Sequence, residues 1–276
     1  MIMMPKSNIA LSENERIVLK NTQLELLDEV KCFCDENSLT FYLMGGTLLG
    51  AIRHKGYIPW DDDIDVCMPR EDYDRFLNLY KENSVFFLQS TGTDRHYFYH
   101  FSKLMKKGTT YNESFTQNIK SRKGIFIDIF PINGYPDKKI AEFHYKFWLF
   151  IFNKKAYPLN VVKDRKIKRD ASYVLMTIVS WLFLWWTPYH LCAKMRNSFM
   201  KRHQYAKSKK CFVGADLRKI YDKDVFAGKS EVIFEKRAMY AMNDPCLYLS
   251  KTYGDYLKLP PENERVPHHY LVEFKG

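Results

Sequence analysis

The sequence predicts an α/β fold, and three features predict it: a helix-period stretch near the N-terminus, short apolar runs of strand length, and glycine turns between them. Ser12 opens a helix reaching to about Ser38, with Ile17, Leu24, Leu27 and Val30 recurring on one face. Phe41 to Met44 is a short buried strand that breaks at Gly45-Gly46, and Thr47 to His54 reads as a helix. Pro59 ends the next connection. Ile64 to Met68 forms a second strand, after which Pro69 opens a helix carrying Tyr73, Phe76, Leu77 and Tyr80. Val85 to Tyr111 reads as strands joined by polar turns, and Gly124 to Ile132 as a further strand closed by Asn133 and Gly134. From Asp137 the pattern is mainly helical, aromatic and basic to about Lys210. The chain therefore divides into an α/β core (1–136), a helical membrane-associating segment (137–210) and a C-terminal segment (211–276) that packs back on the core.

Hydrophobic residues make up 46% of the 276, and 12 Gly with 11 Pro are too few for a tail or scaffold, so a folded chain with a sizeable core is expected. The 43 Lys and Arg against 32 Asp and Glu leave a charge of +11, which draws an acidic partner: nucleotide phosphates, nucleic acid or an anionic membrane face. No recognition helix, zinc finger or RNP-like pattern accompanies the charge, so nucleic acid is not expected. Six cysteines show neither CxxC nor finger spacing; free, buried thiols in a reducing compartment are the reading, with Cys32 and Cys34 diverging on their helix. Met1 to Asn14 lacks the apolar core of a secretory signal, which places the chain in the cytoplasm.

Ala171 to Ala193 contains no Asp, Glu, Lys or Arg and is long enough to cross a bilayer. Pro188, His190 and three hydroxyl residues count against crossing. Lys163, Arg165, Lys166, Lys168 and Arg169 before it, and Lys194, Arg196, Lys201 and Arg202 after it, suit a helix lying in an anionic interface, as do Trp181, Trp185 and Trp186. Interfacial contact is preferred here over a buried core helix, and both over a spanning one.

The chemistry concentrates between Met44 and Val66. On a strand Asp63 and Asp65 project from one face while Ile64, Val66 and Met68 enter the core. Two carboxylates this close repel unless a cation stands between them, and hard oxygen donors suit Mg²⁺ or Mn²⁺. A solvated acidic turn is the bland rival, but the apolar strand leaving it holds Asp65 where an unpaired carboxylate is costly. An EF-hand fails because its glycine position is Val66 and its last ligand Asp72. Gly45, Gly46 and Thr47 join a strand to a helix start, where backbone N–H groups favour phosphate. Asp128 stands amid apolar neighbours in Gly124 to Pro131, so it is paired with a cationic side chain or binds a cation. Trp60, Tyr97, Phe98 and Tyr99 are either an aromatic cage or ordinary core. Asp61 and Asp62 orient the acid-bearing strand. Of the adjacent His268 and His269, alternation lets at most one enter a site.

Strand, Gly-Gly-Thr, helix, Asp-x-Asp strand and a later strand acid resemble the nucleotidyltransferase superfold. Gly46 to Gly50, Arg53-His54 and Trp60 to Val66 resemble its LicD branch, as do Gly124 to Pro131, Tyr253 to Tyr256, Leu259 to Pro261, Arg265 and His268-His269. The resemblance runs from about residue 20 to 270 and is weak over 137–230. It implies a mixed-sheet, nucleotidyltransferase-like core and transfer of phosphocholine from CDP-choline to a sugar hydroxyl of a cell-surface glycan precursor of the teichoic acid, lipopolysaccharide or capsule type. Glycerol phosphate or ribitol phosphate from another CDP-alcohol is the alternative cargo. It also implies that Asp63, Asp65 and Asp128 hold Mg²⁺ or Mn²⁺, with Asp128 a ligand or the base. Gly45, Gly46 and Thr47 would then cradle the pyrophosphate, Arg53 and His54 neutralise it, and His268 touch substrate. The acceptor is expected to be lipid-linked and the enzyme peripheral at the inner face of the cell membrane. Nucleotidyl transfer to a small molecule is a second enzymatic reading; a non-catalytic basic membrane-binding protein is the reading from another class.

Overall fold

The computed structural model describes residues 9–157, 171–267 and 269–276. Helix α1 (Glu13–Glu36) starts at Ser12, whose hydroxyl accepts from the Glu15 N–H while the Glu15 carboxylate accepts from the Ser12 N–H, a reciprocal cap. Its buried face begins at Leu19 and continues through Leu26, Leu27, Val30 and Cys34. Ile17, in the same sequence stripe, is half exposed because burial begins only at Leu19.

The central sheet orders β1 (Tyr42–Leu43), β2 (Asp65–Pro69), β6 (Phe126–Tyr135), β4 (Ser102–Lys106) and β3 (Phe86–Gln89). β2 and β6 run parallel; the other neighbours are antiparallel. Helix α3 (Arg70–Leu79) follows β2 directly, and the first turn of α2 (Gly45–His54) is bonded to the head of β2 through Thr47. Ile64, Val66, Cys67 and Met68 are fully buried, which fixes the register of the acids around them.

The strand expected to close at Asn133-Gly134 continues to Tyr135. Its second half pairs with β7 (Lys210–Val213), which in turn pairs with β8 (Tyr221–Asp222). Gly134 permits this, since a Cβ there would lie 2.5 Å from the His203 carbonyl oxygen. β9 (Lys229–Phe234) and β10 (Arg237–Met242) form a hairpin turned by Glu235 and Lys236, both at positive φ. β11 (Leu271–Lys275) pairs with β5 (Thr110–Glu113), bringing the C-terminal stretch beside the acids.

A second core, mostly aromatic, forms where α4 (Lys139–Ala156), α5 (Ala171–Phe183) and α6 (Tyr189–Met200) meet Tyr97 to Phe101 and Phe212. Arg196 of α6 is fully buried, and its guanidinium donates to the Phe98 carbonyl at 2.6 Å. The apolar stretch 171–193 is not one helix: α5 ends at Phe183 and α6 begins after Pro188. Among the described residues no helix is long and apolar enough to cross a membrane. The basic residues Lys163 to Arg169 lie outside the described residues. All six cysteines are free; Cys32 and Cys246 are exposed and the other four buried, so both correct the expectation of buried thiols.

Candidate active site

Parallel pairing of β2 with β6 puts Asp65 directly opposite Asp128. The Asp128 N–H donates to the Ile64 carbonyl at 2.9 Å, and the Asp65 N–H donates to the Thr47 hydroxyl at 2.8 Å. Thr47 is buried, so its hydroxyl pins the acid strand to the first turn of α2. At that turn Gly45 has φ +56°, a left-handed conformation that a side chain disfavours. Side chains here would also meet carboxylates: a Cβ on Gly45 would lie 3.1 Å from Asp65 Oδ2, and one on Gly46 2.5 Å from Asp61 Oδ2. The N-terminal end of α2, where free N–H groups gather, thus borders the acids.

The acids feel one another. Burial pushes the Asp65 carboxyl well above the usual range, and the charges of Asp63, Asp128 and Asp61 push it the same way. Asp128 is also raised, chiefly by burial, against the opposing pull of Lys103. Asp61 rises to about 6 through burial and the neighbouring Asp62 charge.

Two cations bracket the cluster; the sequence allowed a cationic partner for Asp128 and one inward histidine but did not name Lys103 or His269. Lys103 on β4 is the register partner of Asp128; its ammonium lies 3.0 Å from Asp128 Oδ1 and 3.0 Å from the centre of the Phe126 ring. On the other side His269 Nδ1 meets Asp62 Oδ1 at 3.1 Å, and Nε2 stands 3.6 Å from Glu113. Tyr111 donates to Asp62 Oδ2 at 3.3 Å, and Gln23 of α1 donates to the Asp62 carbonyl at 2.9 Å. Burial opposes a charge on His269, but the Asp62 hydrogen bond and the charges of Glu113, Asp62 and Asp63 outweigh it and lift the imidazole to about 10.

Ligand atoms of Asp62, Asp63 and His269 lie within 4.8 Å of one another. A protonated imidazole has no lone pair to give, so in this state His269 acts as a counter-cation and the oxygens remain the donors. Asp65 and Asp128 stand outside that tight group, with Asp65 turned to the glycine edge and Asp128 to Lys103. Among the described residues Asp63, Asp65 and Asp128 do not form such a group, so the expected three-acid cluster is drawn together only in part: Asp63 stands with Asp62 and His269, while Asp65 and Asp128 face each other across β2 and β6.

Arg53 and His54 occupy the last turn of α2, roughly 10 Å along its axis from Gly46. Arg53 donates to His54 Nε2 at 2.9 Å and to the Tyr256 carbonyl at 3.2 Å, and burial with the nearby Arg265 charge lowers its pKa. His268 lies outside the described residues. Helix α7 (Pro245–Tyr253) adds Tyr248, whose hydroxyl accepts from the Gly45 N–H at 3.2 Å, and Tyr253, whose hydroxyl stands against the Gly45 edge. Beside the acids opens a cleft of about 350 Å³ lined by Trp60, Asp61, Asp62 and His269, with Arg16 and Lys20 from α1. Trp60 faces that cleft, whereas Tyr97, Phe98 and Tyr99 are buried in the second core; the four do not form one cage.

Comparison with known proteins matches residues 38–164 to the LicD/FKTN/FKRP nucleotidyltransferase domain. Over 274 residues, 92% of this chain and 97% of the relative, the chain is 31% identical to the lipopolysaccharide cholinephosphotransferase LicD of Haemophilus influenzae. A shorter stretch of 55 residues is 38% identical to an uncharacterised protein of Rickettsia typhi, covering 20% of this chain and 18% of that protein. Near-complete coverage at this identity, joined to a mixed sheet that sets Asp65 of the Asp-x-Asp motif beside Asp128, means that the chain belongs to the LicD family.

Proposed function

We propose that this phosphotransferase moves phosphocholine from CDP-choline to a sugar hydroxyl of a cell-surface glycan precursor. The observation that carries the reading is the direct register of Asp65 with Asp128, beside a helix start that leaves no room for side chains. Asp63 and Asp65 would hold Mg²⁺ in this scheme, with Asp128 a third ligand or the base. A divalent ion bound there would neutralise phosphoryl charge and lower the pKa of the attacking hydroxyl.

The chain's own residues do the rest. The Gly45-Gly46 edge lets the diphosphate approach the backbone at the positive end of α2. Thr47 fixes the strand that carries Asp65, and Lys103 fixes Asp128. Where Asp128 is the base, its carboxylate, which is ionised near neutral pH although burial lifts its pKa to about 6, takes the proton of the acceptor hydroxyl. The acceptor oxygen then bonds to the phosphorus of the phosphocholine, the bond to the bridging oxygen breaks, and CMP leaves. Phosphoryl transfer asks for little beyond this positioning and charge neutralisation.

The acceptor is lipid-linked in this reading, and the enzyme works in the cytoplasm, peripheral at the inner face of the cell membrane. The basic surplus of +11 supports both an anionic donor and an anionic surface. The test is release of CMP from CDP-choline, CDP-glycerol and CDP-ribitol, with Mg²⁺ or with chelator, and with or without glycan acceptor. Metal-dependent CMP release highest with CDP-choline is expected. Preference for another CDP-alcohol reassigns the cargo, pyrophosphate as product points to nucleotidyl transfer, and no turnover on any donor overturns the reading.

A further inference from the structure

The helical segment exposes far more apolar surface than a free-standing face needs. Ile140 and Phe143 on α4 are 87% and 76% exposed, and Leu175, Ile178 and Leu182 recur at helical spacing along α5. Trp185 and Trp186, in the turn after α5, are 76% and 67% exposed. Patches of this kind on a soluble domain mark a contact surface. Indole and phenyl rings at a helix end are also the side chains that settle at a lipid headgroup boundary.

A basic groove of about 650 Å³ opens beside them, between α4 and the end of α6. Lys138, Lys139, Arg202, His144 and His203 line it, with Ile140 at the wall, and no carboxylate is among its lining residues. Asp137 adjoins it in sequence; Glu142 is held by Lys146 at 2.5 Å. The groove and the apolar helix end are physically joined. Phe183, at the end of α5, packs edge-on against Trp148 with ring centres 6.2 Å apart. The Trp148 indole N–H in turn donates to His144 Nε2 at 2.9 Å, and His144 lines the groove. These ring contacts run from the end of α5 to the groove that holds Lys138, Lys139 and Arg202.

From this juxtaposition we infer that α4, α5 and the groove seat the protein on an anionic phospholipid bilayer, with one lipid phosphate held by Lys138, Lys139 and Arg202. A protein partner fits less well, because lysines and an arginine around a groove, with apolar rings beside them, match a surface that is negative outside and apolar beneath. The inference rests on the membrane-carried acceptor of the proposed function, yet it is read without any turnover.

The test is flotation of the full chain with vesicles of phosphatidylcholine alone or with about one third phosphatidylglycerol, near physiological salt. Binding to the anionic vesicles should exceed binding to the neutral ones by about tenfold or more. The triple variant Lys138→Glu, Lys139→Glu, Arg202→Glu should fall to the neutral-vesicle level. Trp185→Ala with Trp186→Ala should weaken binding to both vesicle types. These side chains are exposed, and an unchanged melting temperature verifies that each variant is folded. Equal binding to both vesicles, or wild-type binding by both variants, overturns the inference. Release by millimolar inorganic phosphate at constant ionic strength also overturns it, since the groove would then be a free-phosphate site. CMP release on a soluble acceptor is measured separately, so loss of vesicle binding with turnover kept, and the reverse, are distinguishable results.

Discussion

Lys103 on β4 and Asp128 on β6 are direct register partners, and the lysine ammonium stands 3.0 Å from the carboxylate with both side chains almost wholly buried. The ammonium rests on the Phe126 ring, so its position is set by packing as well as by charge. Lys103→Met should therefore strand a buried carboxylate and cost about 3–5 kcal/mol of stability. Adding Asp128→Asn to Lys103→Met should recover a good part of that loss, because the uncompensated charge disappears. Urea unfolding of the two single variants and the double variant measures the coupling; additive losses would show that the pair does not interact.

The glycine turn makes a sharper prediction about activity. Gly46 has an ordinary backbone conformation, so alanine there is tolerated by φ and ψ, but its Cβ would lie 2.5 Å from Asp61 Oδ2. Gly46→Ala should push Asp61 aside and narrow the approach to the helix start. Turnover on a CDP-alcohol should fall by about two orders of magnitude while stability changes by about 1 kcal/mol or less, since the misplacement is local. Near-normal turnover would remove the turn from the diphosphate path.

Much of this site was legible in the residues. Apolar Ile64, Val66 and Met68 around Asp65 marked the acid strand, although β2 begins only at Asp65 and Asp63 lies in the connection before it, and an apolar setting singled out Asp128. Which cations bracket the cluster was not legible. Lys103 sits between Ser102 and Leu104 like any strand lysine, and only the β4–β6 register reveals that it faces Asp128. Alternation restricted the His268-His269 pair to one inward ring without saying which; the irregular β11–β5 pairing delivers His269 to Asp62. The end of β6 departs from the turn expected at Asn133-Gly134 for a physical reason. Asn133-Gly134 has turn composition, but here the glycine admits the close backbone of the 203–204 segment and the asparagine side chain accepts from Arg70.

Crowded carboxylates make the metal-free protein sensitive to pH. Asp61 has its pKa raised to about 6, so the folded state holds that proton more tightly than the unfolded chain does. Its contribution is fully present below about pH 4 and is lost as pH rises through about 6. His269, raised to about 10, adds stability that is complete below about 6.5 and fades as pH rises through about 10. Both therefore predict falling stability with rising pH in chelator, in two separate windows. Mg²⁺ should raise the melting temperature more at about pH 7.5 than at about pH 4.5, because only ionised oxygens hold it. Equal shifts at the two values would mean that the acids do not form its site.

Arg196 gives a prediction independent of the chemistry. It is fully exclusive of solvent at the centre of the aromatic core, donates to the Phe98 carbonyl at 2.6 Å, and lies near the Tyr157 ring. The Phe98 segment leads through Phe101 into β4, which carries Lys103, so this one guanidinium ties α6 to the strand behind the acids. Arg196→Leu keeps apolar bulk but leaves the carbonyl without its donor, which should cost about 1–3 kcal/mol. Thermal melting should register that loss. If the tie also steadies β4, hydrogen exchange at Ser102 to Lys106 should speed up in the variant, whereas exchange in the β9–β10 hairpin, which packs on the opposite core, should not change. Uniform acceleration across both elements would mean that Arg196 supports the fold as a whole and has no particular hold on the strand beside Asp128.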